Sequence, residues 1–151
     1  MRALVIGGTG PTGHYIVNGL LRRGYDVAML HTGRHEIAEI PDRVEHIHTD
    51  PFSEPALREA LGHRTFDLTL AAYGRLRRIA EVMAGRTGRF LSIGGAPAYR
   101  GYMNPGVLHP QGLPIPASED STPLLSIEEE DTKGWRVVKS EEAVFAHHPG
   151  A

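Results

Sequence analysis

Gly7-Gly8-Thr9-Gly10-Pro11-Thr12-Gly13 is the stretch on which the reading of this chain turns. It follows Arg2-Ala3-Leu4-Val5-Ile6, a short apolar run stopped by glycine, as a buried parallel strand would be. Beyond it, residues 12–23 read as a helix. Tyr15, Ile16, Gly19, Leu20 and Arg23 recur at three-to-four spacing, and Gly24 is the stop signal. A G-x-x-G-x-x-G pattern between a strand and a helix is the context in which such glycines cradle phosphate. Gly7 allows the tight turn, and Gly10 lets the backbone approach a pyrophosphate with no Cβ in the way. Gly13 permits close helix–strand packing. The helix start offers unpaired N–H groups and a positive dipole end, and Pro11 fits near a first turn where no amide bond is lost. The bland alternative is a plain strand-to-helix turn, which rarely needs glycines at such density.

Outward from this loop the alternation continues. Val27–Leu30 and Val44–His48 read as the second and third strands, with Asp50-Pro51 closing the latter. Ser53 is a candidate N-cap for a helix to Leu61, ended by Gly62. Phe66–Ala71 is a fourth strand, followed by a helix through about Met83, and Arg89–Ile93 is a fifth strand ending at Gly94-Gly95. Alternation at this spacing predicts βαβ units, hence a Rossmann-type doubly wound parallel sheet of about five strands with flanking helices. Residues 100–131 are rich in proline and glycine, which forbids a long helix or a central strand. Such a loop leaves the carboxyl end of the fifth strand, the ligand side of an open α/β sheet. Glu128-Glu129-Glu130-Asp131 is expected to open a solvated last helix over roughly 134–147.

Composition sets bounds. The 151 residues are one domain by length, with 40% hydrophobic and 23% charged residues, near the globular average. A net charge of −2 gives no electrostatic reason to expect nucleic acid or an anionic membrane as partner. With no cysteine, disulfides, thiolate metal sites and cysteine nucleophiles are excluded. No segment approaches the apolar length of a membrane span, and the N-terminal run is too short for a signal peptide, so a cytoplasmic location is expected.

The end of the second strand bears on which dinucleotide is bound. An acidic residue about 20 positions beyond the glycines would hydrogen-bond a ribose 2′-hydroxyl. The chain instead reads Leu30-His31-Thr32-Gly33-Arg34, so His31 and Arg34 are the candidate contacts and NADP(H) is expected over NAD(H). Glu36 keeps the NAD alternative open, and a solvated loop arginine is the plain alternative. His46-x-His48 would lie on one face of a strand and His147-His148 are adjacent. No carboxylate sits at a recognisable ligand spacing, so scattered histidines and no metal are expected. Arg75, Arg77 and Arg78 read as a solvated helix face or as a contact to an anionic ligand. No Gly-x-Ser-x-Gly elbow is present.

Gly7–Gly13, Asp50, Ala71-Ala72-Tyr73, Arg89–Tyr99 and Pro116-Ala117-Ser118-Glu119-Asp120 together resemble the extended or atypical short-chain dehydrogenase/reductase superfamily, in its NAD(P)-dependent epimerase/dehydratase group, over essentially the whole chain. The resemblance implies that Gly7, Thr9, Gly10, Pro11, Thr12 and Gly13 hold the pyrophosphate. It also implies that Asp50 lies near the adenine, and that Ala71, Ala72 and Tyr73 pass beside the cofactor ribose. The superfamily's usual Ser or Thr aligns with Gly95 here. Its Tyr-x-x-x-Lys helix reads Trp135-Arg136-Val137-Val138-Lys139, which keeps the lysine and replaces the tyrosine. Indole has no acid–base chemistry near neutral pH, so Trp135 does not stand in for the phenol. Lys139 is the candidate catalytic and cofactor-positioning residue, and Tyr99 and Tyr102 are nearby in sequence.

Extended members continue past this helix, whereas the chain ends at His147–Ala151. A missing C-terminal substrate portion and an open sheet edge are therefore expected, with a homodimer as a consequence. Three functions compete on these grounds. The first is an NADP-dependent enzyme on a small molecule such as a sugar nucleotide. The second is a non-catalytic dinucleotide-binding sensor or regulatory module, and the weakest is an RNA-associated relative.

Overall fold

The computed structural model describes residues 1–72, 76–118, 120 and 133–151. Five parallel strands form one sheet: β1 (Arg2–Ile6), β2 (Asp26–His31), β3 (Glu45–His48), β4 (Phe66–Ala71) and β5 (Thr87–Ser92). Four helices flank it: α1 (Gly13–Arg22), α2 (Glu54–Leu61), α3 (Arg77–Met83) and α4 (Lys133–His147). The strand order is β3-β2-β1-β4-β5, so the chain moves outward from β1 to β3 and then returns across β1 to β4. That reversal puts the topological switch point between the carboxyl ends of β1 and β4, where open α/β sheets bind ligands.

The central strand shows why the sheet is covered on both faces. Leu4 and Ile6 of β1 join a core with Leu30, Leu57, Ile79, Met83 and Phe90, beneath α2 and α3. Ala3 and Val5, one residue out of phase, join Val17 and Leu20 of α1 with Val27 and Met29 on the opposite face. Alternation of period two with apolar residues at both phases is what a strand buried on both sides requires. The predicted elements agree with those found to within about two residues, the usual scatter of element boundaries. Ser53 caps α2, its side chain accepting from the Ala56 N–H at 3.5 Å, and Gly62 follows the helix with φ +52°.

The connection between β2 and β3, residues 32–44, is a loop that tucks Ile40 and Val44 under the α1 face. The proline-rich stretch after β5 contains two short 3₁₀ turns, Ala96–Ala98 and Pro105–Val107, and no longer element among its described residues. The expected acidic helix start at 128–131 lies outside the described residues. The end of α4 is fastened to the core: His148 stacks on Phe90 with ring centroids 4.4 Å apart and donates from Nε2 to the Ala80 carbonyl at 2.9 Å.

Candidate functional site

The glycine loop takes its shape from three separate constraints. Gly7 has φ +93°, a conformation that disfavours side chains, and its N–H donates to the Leu30 carbonyl at 3.0 Å, tying the turn to β2. A Cβ on Gly13 would overlap the carbonyl of Gly8. The close approach inferred for Gly13 is therefore to the turn itself and not to the body of a strand. A Cβ on Gly8 would strike the Met29 thioether; this third constrained glycine lies outside the G-x-x-G-x-x-G pattern, and only the packing of β2 reveals it. Gly10 differs from these, since the nearest atom to an added Cβ is the Gly7 carbonyl oxygen at 3.9 Å, and the space beyond is open. Thr12 makes no side-chain capping bond, and the first turn of α1 holds no acidic side chain. The helix start thus keeps N–H groups and a positive end for an anion. Thr9 and Gly10 are half-buried and Pro11 and Thr12 exposed on the rim of this cradle. Its open glycine and unneutralised helix start fit a dinucleotide pyrophosphate.

Next to the cradle a crevice of about 390 Å³ lies across the switch point, lined among others by Thr12, Ala72, Gly95, Val137, Ser140 and Glu141. Ala72 lines it, and its N–H donates to the Ile6 carbonyl at 3.2 Å. Ala71, read from the sequence as a ribose contact, is wholly buried and packs into the core instead. Tyr73 and Arg75 lie outside the described residues. Gly95 lines the crevice at the position aligned with the superfamily's serine.

Helix α4 presents Val137, Ser140 and Glu141 to this crevice, while Trp135 and Lys139 line a neighbouring cleft of about 460 Å³ with Phe52, Arg77 and Arg78. The Lys139 ammonium stands 2.6 Å from a Glu142 carboxylate oxygen and 5.7 Å from the centre of the Trp135 ring. Lys139 is therefore not among the residues that line the crevice with Ala72. Residues four apart share a helix face, so Trp135 and Lys139 turn together, and the burial of Val138 and Val144 sets the phase. Glu141 and Tyr99 also share a hollow of about 410 Å³ at the end of β5, beside Ser92 and Gly95. Of the basic cluster, Arg78 is ion-paired with Glu81 at 3.1 Å and lies 3.6 Å from Glu54, as a solvated helix face would be.

The carboxyl ends of β2 and β3 form the third part of the rim. Arg34 is exposed in the loop leaving β2, just after Gly33, whose φ is +74°. Asp50 is exposed after β3, and its Oδ1 accepts from the Phe52 N–H at 2.9 Å, which closes that turn. His31 is buried at the end of β2. Burial holds its imidazole below the ordinary value of 6.5, with Glu36 opposing and His48 and His46 adding to the shift. The histidines read as scattered in the sequence are gathered here: His31, His46 and His48 surround the Glu36 carboxylate.

Solved structures with this arrangement of strands and helices are numerous. UDP-glucose 4-epimerase of Thermotoga maritima, solved with UDP-glucose, superposes with a TM-score of 0.73 at 13% identity, over 99% of this chain and 52% of that one. UDP-glucose 4-epimerase of Thermus thermophilus, solved with NAD, gives 0.68 at 17% identity over 97% and 50%. Vestitone reductase of alfalfa gives 0.63 at 16% identity over 96% and 51%. This chain shares their fold. It spans about half the length of the solved chains it matches. No protein-family model matches the sequence, and none of the curated proteins matches it. Among the described residues no helix is long and apolar enough to cross a membrane.

Proposed function

We propose that the chain binds a nicotinamide dinucleotide, NADP(H) in preference to NAD(H), as the cofactor-holding part of an epimerase- or reductase-like oxidoreductase. The observation that carries this reading is the combination at one place of the open Gly10, the uncapped start of α1 and the crevice at the switch point. Gly7, Thr9, Gly10, Pro11, Thr12 and Gly13 would hold the pyrophosphate, and Ala72 and Gly95 would flank the nicotinamide ribose. Asp50 would lie towards the adenine. Arg34 would meet the 2′-phosphate, since Glu36, the acidic residue nearest to it in sequence, is already turned to the histidines. When bound, the cofactor would supply hydride chemistry, and the protein's part is orientation and exclusion of water.

The substrate class that fits is a small hydroxyl or carbonyl compound such as a sugar nucleotide. One similar fold points that way, having been solved with UDP-glucose. Ser92, Tyr99 and Glu141 are the polar side chains that line the hollow beside Gly95, and Glu141 and Tyr99, which can carry acid–base chemistry, are the first to test for proton transfer. A second reading, a non-catalytic dinucleotide-binding module, is favoured by Trp135 and Lys139 facing the neighbouring cleft. The deciding experiment is a pair of calorimetric titrations with NADPH and NADH on the whole chain. Saturable binding with NADPH the tighter ligand is expected. Failure of both to bind would end the dinucleotide reading, and loss of turnover in Glu141→Gln with binding intact would favour the enzyme over the module.

A further inference from the structure

In the dinucleotide reading the three imidazoles at the ends of β2 and β3 serve only to hold Glu36. His31, the last residue of β2, registers opposite His48, the last residue of β3, and His46 registers opposite Met29 one step back on the same face. Glu36 reaches them from the loop between the strands. Its Oε2 lies 3.1 Å from His46 Nδ1, and its Oε1 lies 3.1 Å from His48 Nε2 and 3.7 Å from His31 Nε2. His31 Nε2 is in turn 3.1 Å from His46 Nδ1. The rings meet edge-on, at interplanar angles of 76°, 87° and 88°, so their nitrogens converge on a common point without the rings stacking. One donor atom from each of the four residues lies within 4.8 Å of all the others.

A tetrahedral zinc ion with nitrogen and oxygen ligands at about 2.0–2.2 Å needs its donors roughly 3.3–3.6 Å apart. The Glu36 oxygens stand 3.1 Å from His46 Nδ1 and 3.1 Å from His48 Nε2, a few tenths of an ångström inside that edge length, so a small side-chain shift would admit an ion. The tautomers then sort the four residues. His31 Nδ1 accepts from the Gly33 N–H at 3.2 Å, which leaves the His31 proton on Nε2. A nitrogen that keeps its proton is not a ligand; in the metal-free chain the His31 Nε2–H donates to His46 Nδ1 at 3.1 Å, and an ion bound at that nitrogen would turn it to Glu36 Oε1, 3.7 Å away, the outer-shell arrangement common at metal sites. His48 and Glu36 are each about half-exposed, which leaves a path in from solvent and room for a solvent oxygen as fourth ligand.

The geometry points to a divalent transition-metal site of the Zn²⁺ type, with His46 Nδ1, His48 Nε2 and the Glu36 carboxylate as ligands and His31 as the positioning residue. Two imidazole nitrogens and one carboxylate select Zn²⁺ or Co²⁺ over Mg²⁺ and Ca²⁺, which want oxygen donors. This site stands independently of whether the glycine loop holds a dinucleotide.

The test uses the whole chain after dialysis against EDTA, titrated with ZnCl₂ by calorimetry and with CoCl₂ by visible absorption. One equivalent of Zn²⁺ and an intense tetrahedral-type Co²⁺ band are expected, with no heat from MgCl₂ at the same concentration. Glu36→Gln and His48→Gln, both at exposed positions and so expected to leave the far-ultraviolet circular dichroism unchanged, should each abolish the Co²⁺ band. His31→Gln should keep the band and the stoichiometry while weakening affinity by about tenfold, the lower end for outer-shell changes. Absence of stoichiometric Zn²⁺ binding would overturn the site. So would binding unaffected by Glu36→Gln and His48→Gln, which would put the ion elsewhere. Loss of the Co²⁺ band in a folded His31→Gln would overturn the role given to His31.

Discussion

Gly10 and Gly13 lie three residues apart in one loop, yet substitution at the two should separate binding from stability. At Gly10 an added Cβ meets nothing closer than 3.9 Å, and the residue is not in a left-handed conformation. Gly10→Val should therefore change unfolding free energy by no more than about 0.5 kcal/mol, the usual range for surface substitutions. The same side chain would stand where a pyrophosphate must approach the backbone. Losing two charge-assisted N–H contacts at about 1.5–3 kcal/mol each weakens NADPH binding by roughly 10²–10⁴-fold. Gly13→Ala places a methyl on the Gly8 carbonyl, a contact between two backbone segments that no rotamer relieves. Forced overpacking of this kind costs about 1–3 kcal/mol. For a chain of this size each 1 kcal/mol lowers the melting temperature by about 2–4 °C. Thermal melts followed by circular dichroism, with calorimetric titration of NADPH on the same samples, read both quantities. The reasoning fails if Gly10→Val melts as low as Gly13→Ala, if Gly10→Val binds NADPH as the parent does, or if Gly13→Ala melts unchanged.

Arg34→Ala should weaken NADPH about tenfold and leave NADH unchanged, from the loss of one exposed charge-assisted contact of about 1.5 kcal/mol; parallel titrations check it. Lys139→Ala should leave dinucleotide affinity unaltered and cost less than about 1 kcal/mol of stability, because Lys139 lines the neighbouring cleft in a largely exposed pair with Glu142. A large loss of NADPH affinity in that variant would return Lys139 to the cofactor site. His148 gives a pH dependence of definite sign. Burial first, and the neighbouring His147 second, lower its folded-state value below 6.5, against the opposing effect of its bond to the Ala80 carbonyl. The unfolded chain thus binds this proton more readily, so the stability His148 confers is present above pH 6.5 and is lost as pH falls below it. Melting temperatures from pH 8 to pH 5 should fall less steeply in His148→Phe, which keeps the stack on Phe90 and cannot be charged.

The central strand was legible because it is written twice. Leu4 and Ile6 face one core and Ala3 and Val5 the other, so β1 had to be apolar throughout. The parallel order followed from the helices between strands and from the glycine loop. What the sequence did not disclose was rotational phase and register. Trp135 and Lys139 share a face by spacing alone, but which face meets the crevice depends on where Val138 and Val144 find their partners. The same holds for Ala71, last residue of a strand, whose side chain turns to the core while Ala72 meets the crevice. For the histidines, the obstacle was that parallel pairing joins residues by register. His31 and His48 are neighbours because β2 and β3 align there, and no spacing rule along the chain contains that fact.

The loop between β2 and β3 connects these observations. Where a helix would hold its residues away from the rim, the segment 32–44 is a loop anchored at Ile40 and Val44, and its first half lies along the strand ends. Glu36 is thereby brought within 3.1 Å of two imidazoles, and the Asp50 carboxylate after β3 is held to its own turn by the Phe52 N–H. Glu36 and Asp50 therefore both have partners, while Arg34 stands exposed in the same loop as Glu36. A ribose hydroxyl needs an acceptor with a free lone pair in this region, and a 2′-phosphate needs a cation unopposed by nearby carboxylates. The second condition is the better met, which is why the NADP(H) preference proposed above rests on what Glu36 does with the histidines as much as on Arg34 itself.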